Sequence, residues 1–256
     1  MADIVSFYSY KGGVGRSITL CNVAVLLAQQ GYRVVCIDFD LEAGGLHTIF
    51  GIDVKELRYT LLDLLTTVAA PNLPSAVVDL TGRLPSVVEG GKLWLLPTVS
   101  EAESVRKLEV ARDLPTLLGR IIDEVMDLYR PHFILVDSRS GFADLASAAI
   151  MNADRVVCVL RPNRQNADGL RILLDILDIL PVRKSTFLVL SQIPDVPEAA
   201  ARLETLNAIL GEERQFGTRI PYVPELALEE SVAAIVAPNS TLTRCYQPVV
   251  GWLAGE

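Results

Sequence analysis

The residues best equipped for chemistry lie near the start of the chain, in Phe7-Tyr8-Ser9-Tyr10-Lys11-Gly12-Gly13-Val14-Gly15-Arg16-Ser17. An apolar run from Ile4 to Phe7 leads into this stretch, and a helix-like run from Ile18 to Gln30 follows it. A strand that breaks into a glycine-rich turn and then opens a helix makes a phosphate cradle. Glycines let backbone N–H groups turn inward and approach a polyphosphate closely, and the new helix adds its positive N-terminal end. Ser17, the first hydroxyl after the turn, is placed to hold Mg²⁺. The general pattern G-x-x-x-x-G-K-[ST] is only half kept. Gly15 and Ser17 match, whereas Tyr10 replaces the first glycine and Arg16 replaces the lysine. A glycine-rich hairpin or a helix cap is the plain alternative, and the flanking strand and helix argue against it.

Three acids accompany this loop. Asp137 closes the apolar run Phe133 to Val136 and precedes Ser138-Arg139-Ser140-Gly141. A carboxylate there orients Mg²⁺ and its waters, and Gly141 suits the turn of a loop that senses a terminal phosphate. Asp38 and Asp40 follow the run Arg33 to Ile37. Ligands of open α/β sheets bind outside the carboxyl ends of the strands, so these acids share an edge with the glycine-rich turn. A lone D-x-D would otherwise read as two exposed acids.

The stretch resembles the deviant P-loop of the ParA/MinD family, K-G-G-x-G-K-[ST]: Lys11, Gly12, Gly13, Gly15 and Ser17 match, and Arg16 departs. The spacing from Lys11 to the D-x-D also agrees. A variant subgroup with K-G-G-V-G-R-[ST] followed by D-x-D-L-E-A is matched by Asp38 to Ala43. The resemblance is strong from Ile4 to Phe50, fair around Asp137 and thin after Leu180. It implies ATP and Mg²⁺ as cofactors. Lys11, Gly12, Gly13, Val14, Gly15, Arg16, Ser17 and Ile18 would hold the nucleotide, and Ser17, Asp38 and Asp137 would surround the metal. Asp40 would position the attacking water. Lys11 would reach the partner's phosphates in an ATP-dependent homodimer closed face to face over two nucleotides.

Arg16 leaves two readings open. Its planar fork can hold phosphate oxygens with two donors, but it is bulkier than a lysine's point charge. A slowly hydrolysing switch that positions a partner is one reading. A non-hydrolysing nucleotide-sensing regulator or constitutive dimer is the other. A metabolic enzyme of the same superfamily would need a second substrate pocket, and no second motif stands out. Family members often carry Asn after the strand matching Phe187 to Leu190. Here Ser191-Gln192 takes that place, so Gln192 could read adenine, with Pro221 to Pro224 as a wall. Neither selects ATP over GTP. Arg161 to Asn166 is either a third loop at the site or a polar turn before a helix.

The elements that must position these groups alternate along the chain. Strands are predicted at Ile4–Ser9, Arg33–Ile37, Leu93–Leu96, Phe133–Val136, Val156–Leu160 and Phe187–Leu190. Helices are predicted from Ser17 to a Gly31 cap, from a Thr60 cap to Thr67, and over Pro115–Tyr129, Leu145–Met151, Asp168–Leu180, Glu198–Leu210 and Leu242–Leu253. Such alternation predicts an α/β fold, a doubly wound, mostly parallel sheet with helices on both faces, in one domain over residues 1–256. Half of the 256 residues are hydrophobic, enough for a large core. No apolar run reaches the roughly 18 residues of a membrane span. Asp3 stands where a secretion signal would be basic. The four cysteines show no metal spacing. Together these predict a cytoplasmic protein. The net charge of −8 argues against a broad nucleic-acid surface, although Arg155, Arg161, Arg164 and Arg171 lie close in sequence. The tail from Leu242 to Glu256 has Arg244 as its only basic residue, which argues against a membrane anchor. A protein partner is the remaining expectation.

Overall fold

The structure is a computed structural model that describes residues 2–66, 71–99, 113–141, 144–179, 185–211, 214–224 and 231–255. Among these described residues eight strands form one sheet: β1 Asp3–Tyr8, β2 Arg33–Phe39, β3 Val78–Asp79, β4 Lys92–Leu96, β5 Phe133–Ser138, β6 Arg155–Leu160, β7 Ser185–Ile193 and β8 Thr218–Pro221. Their order is β3-β4-β2-β5-β1-β6-β7-β8. Every pairing is parallel except β3 with β4. The longer helices are α1 Arg16–Gln29, α2 Leu61–Thr66, α3 Leu114–Tyr129, α4 Asp144–Asn152, α5 Arg164–Ile179, α6 Glu198–Leu210 and α7 Gln247–Ala254. This is the expected doubly wound sheet.

The strands are apolar on both faces because helices cover both. Val34, Cys36 and Leu135 pack with α1 and α7 on one side. Val35, Ile37, Ile134 and Val136 pack with α2 and α3 on the other. Leu118, Ile121, Ile122 and Val125 form the buried stripe of α3 at three- and four-residue steps. Asp113 caps that helix through the Thr116 N–H, with Pro115 in its first turn. Thr60 and Asp63 cap α2 reciprocally. Gly31 ends the first helix at φ 96°.

Several elements differ from the expectation. β2 and β5 run past their apolar stretches, so Asp38 and Asp137 lie within strands and are paired across the ladder. Backbone pairing does not depend on side-chain polarity, and both carboxylates are buried against the neighbouring strand. Helix α5 begins at Arg164, four residues before Asp168, because the Asn163 carboxamide accepts from the Asn166 N–H. The terminal helical region is split into Thr241–Arg244 and α7, with Pro248 in the first turn of α7, where a missing N–H costs nothing. The two-residue edge strand β3 has too short a pattern to be read. Thr67, Leu180 and Glu256 lie outside the described residues.

Candidate functional site

Strand β1 ends at Tyr8, and the chain turns through residues 9–15 into α1. Gly15 is the N-cap of α1 at φ 88°, a left-handed backbone that a side chain disfavours. A Cβ there would also come within 2.9 Å of Ser191 Oγ. Gly15→Ala is therefore expected to cost about 1–2 kcal/mol, read from urea unfolding. An unchanged midpoint would mean that the loop is not held in this conformation. Val14 is buried in the core, so only its backbone can face a ligand. Tyr10 packs on α5, where a Cβ at Gly169 would meet its ring at 2.1 Å. The phosphate turn thus rests directly on a helix that no local pattern linked to it.

A cavity of about 730 Å³ opens above this turn at the carboxyl edge of the sheet. Its walls include Gly12, Gly13, Gly15, Arg16, Ser17 and Ile18, with Asp40 and Glu42 from the loop after β2, Arg139 from the loop after β5, and Gln192. A second cavity, of about 70 Å³, adjoins it through Ile18 and Gln192 and includes Asn22, Pro221, Tyr222, Ser231 and Tyr246. Gln192 takes φ 54° at an irregularity of β7, which turns it to both cavities. The structure thus brings Gln192 to the phosphate turn and places Pro221 beside it in the smaller space. Asn22 and Ser231 were missed by sequence reasoning. Asn22 looks like one more polar residue on an apolar helix; its carboxamide oxygen accepts from the Ala234 N–H at 2.9 Å. The Ser231 hydroxyl is buried without a hydrogen-bond partner.

The charged centre lies at the floor. The Arg16 guanidinium reaches Asp137 Oδ1 with Nε at 2.5 Å and Asp40 Oδ2 with Nη2 at 3.3 Å. The Ser17 hydroxyl donates to Asp137 Oδ2 at 2.6 Å. Arg16 is 8% exposed, so this is a buried ion pair. Burial works against the guanidinium charge, but Asp137 and Asp40 overcome it and raise its pKa. Arg16, expected on the phosphates, lines the main cavity and contacts these two carboxylates. Asp38 accepts from the Leu46 N–H through Oδ2 at 3.0 Å, while its buried Oδ1 has no hydrogen-bond partner. Burial first, and then the Asp137 charge, push Asp38 well above the usual carboxylate range.

These residues fit a divalent cation brought with phosphates. Two carboxylates, Asp137 and Asp40, face a single guanidinium, and one oxygen of a third, Asp38, is orphaned. Among the described residues no three His, Cys, Asp or Glu side chains form a metal cage. Mg²⁺ carried by a nucleotide needs none, because phosphate oxygens and waters supply most of its shell. Lys11 is exposed, with Nζ 5.3 Å from the Tyr10 ring centroid, and is not part of the cavity wall. The segment Arg161 to Asn166 also stays out of both cavities and serves as the start of α5. Arg155 pairs with Asp3 and lies over the Trp252 ring. It is separate from Arg164 and Arg171, which share a groove with Arg202.

A family profile described as an AAA domain matches residues 2–188, most of the chain. The septum site-determining protein MinD of Helicobacter pylori is 28% identical over 162 residues, covering 63% of this chain and 54% of that protein. This protein belongs to the ParA/MinD-type P-loop ATPases. The sporulation initiation inhibitor Soj of Bacillus subtilis is 25% identical over 194 residues, covering 74% of this chain and 70% of Soj. The matched part thus spans little more than half of the Helicobacter MinD. In fold, this ParA/MinD-type chain is similar to Pyrococcus horikoshii MinD complexed with Mg-ADP, at TM-score 0.73 and 21% identity over 99% of this chain and 96% of that one. A ParA family ATPase from Chlorobium tepidum gives 0.75 at 20% identity over the full length of both. Among the described residues, no helix is long and apolar enough to cross a membrane.

Proposed function

We propose that residues 1–256 act as one ATP–Mg²⁺ switch, which dimerises face to face on ATP, hydrolyses it slowly and positions or regulates a protein partner. The observation that carries this reading is the Ser17–Asp137 contact beneath the glycine-rich turn, with Asp40 at the same cavity. Backbone N–H groups of residues 12–17 and the start of α1 would hold the phosphates. Ser17 would hold Mg²⁺ directly, with Asp137 and Asp38 behind it, and Mg²⁺ would offset charge on the terminal phosphates. Asp40, at the cavity wall, would orient the attacking water. Gln192 and Pro221 would border the base. A solved complex named as MinC with MinD from Aquifex aeolicus supports a protein partner by analogy, at 22% identity.

The burial of Arg16 between Asp137 and Asp40 favours a second reading, a regulator that binds nucleotide without turning it over. Light scattering with and without ATP–Mg²⁺, with phosphate release followed in the same samples, separates the two. A switch gives an ATP-dependent dimer and slow release. A regulator gives binding without release. Lys11→Ala is expected to bind nucleotide with ordinary affinity but to remain monomeric, since its ammonium lies outside its own subunit's cavity. Unchanged ATP-dependent mass for this variant would remove the cross-dimer role.

A further inference from the structure

Two cations border the main cavity among the described residues, Arg16 and Arg139. They are not equivalent. Arg16 is buried and committed to Asp137 and Asp40. Arg139 has a side chain 41% exposed, and its ion-pair partner is Glu42, itself 37% exposed and also at the cavity wall. The pair therefore links the loop after β2 to the loop after β5 across the mouth of the site. Both loops follow strands that carry the acids of the site, and β2 and β5 are adjacent.

The backbone holds Arg139 against the phosphate turn. It comes two residues after Asp137. Gly141, at φ 84°, donates its N–H to the Ser9 carbonyl at 3.0 Å. A Cβ on Gly12 would lie 3.6 Å from Ser140 Oγ. The Arg139 loop is thus laid on the turn that would hold the phosphates, and its long side chain extends from there to Glu42.

We propose that Arg139 is a phosphate-contacting residue of this site, kept in reserve by Glu42 and transferred to the terminal phosphate when nucleotide enters. The inference rests on the ATP reading above. An ion pair as exposed as Arg139–Glu42 is held weakly. A terminal phosphate offers more charge than one carboxylate and three acceptor oxygens, and the guanidinium fork matches two of them. In hydrolysis the water oxygen bonds the γ-phosphorus as that atom's bond to the β–γ bridging oxygen breaks. ADP leaves with the bond's electron pair, and the water's proton passes to a phosphate oxygen or to solvent as inorganic phosphate forms. Negative charge grows on the bridging oxygen, and a guanidinium at the terminal phosphate offsets it. Arg139 thereby supplies within the subunit a charge that Arg16 is not free to supply.

The test compares the parent with Arg139→Ala, Arg139→Lys and Glu42→Gln by calorimetric titration with Mg–ADP and with Mg–AMPPNP, and by phosphate release. Arg139→Ala is expected to keep the parent's ADP affinity and lose about ten- to a hundredfold in AMPPNP affinity. Its phosphate release should fall by about a hundredfold or more. Arg139→Lys should recover part of both. Glu42→Gln, which removes the competitor, should raise the preference for AMPPNP over ADP. An Arg139→Ala protein with the parent's AMPPNP-to-ADP ratio and the parent's release rate overturns the inference and leaves the ATP reading standing. A parent that binds neither nucleotide overturns both.

Discussion

Asp137→Ala is expected to destabilise the protein by about 3–5 kcal/mol, the loss typical of breaking a buried ion pair from one side. Asp137 is 2% exposed and takes the 2.5 Å contact from Arg16 as well as the Ser17 hydroxyl. Without it the buried guanidinium keeps one carboxylate contact, to Asp40 at 3.3 Å, and a 3.3 Å contact to the Ser17 hydroxyl. Urea unfolding near neutral pH measures the loss, and the double variant Arg16→Ala/Asp137→Ala should lose clearly less than the sum of the singles. Additive losses would show that the two side chains do not meet in solution. Asp137→Ala should also weaken the Mg²⁺ dependence of nucleotide binding, since only Ser17 and Asp38 of the three metal-surrounding residues would remain. The forked side chain of Arg16 reaches a carboxylate on β5 and one in the loop after β2 at once.

Asp40→Ala should reduce ATP hydrolysis by about 10²–10⁴-fold while leaving nucleotide affinity nearly unchanged. Asp40 is buried at the wall of the main cavity, its Oδ1 accepting from the Ala43 N–H at 3.2 Å and its Oδ2 from Arg16 at 3.3 Å. Those two contacts orient the carboxylate without consuming all of its acceptor capacity, as positioning a water requires. Because Asp137 retains Arg16, the stability loss should be well below that of Asp137→Ala. Single-turnover phosphate release together with light scattering reads both effects, and the ATP-bound dimer should persist rather than decay. Release at the parent's rate would assign the water to another group.

Much of the site could be read from local pattern. Gly12, Gly13, Gly15 and Ser17 declare a phosphate turn because glycine content, a preceding apolar run and a following helix are all contiguous. Asp38 and Asp137 could be placed at one sheet edge because parallel strands in an α/β sheet point the same way. What could not be read was who pairs with whom. Arg16 and Asp137 are 121 positions apart, and Arg139 and Glu42 are 97 apart. No periodicity carries information over such distances. Arg139 in particular looks like an ordinary polar loop residue until the two loops are brought together.

Local sequence dictates the nucleotide-type turn, the alternation of strands and helices, and the residue types at the carboxyl edge. These follow from interactions within a few residues: side-chain periodicity, glycine's backbone freedom and capping. Tertiary structure alone decided that β2 lies beside β5, so that Asp38 and Asp137 face each other across one ladder. It also decided that Arg16 turns to Asp137 and Asp40 and not to open solvent, that Tyr10 rests on Gly169, and that Gln192 stands between two cavities. The reason is strand order. The chain's order along the sheet is set by packing α1 to α7 on both faces, and a buried charge takes whichever partner that packing delivers.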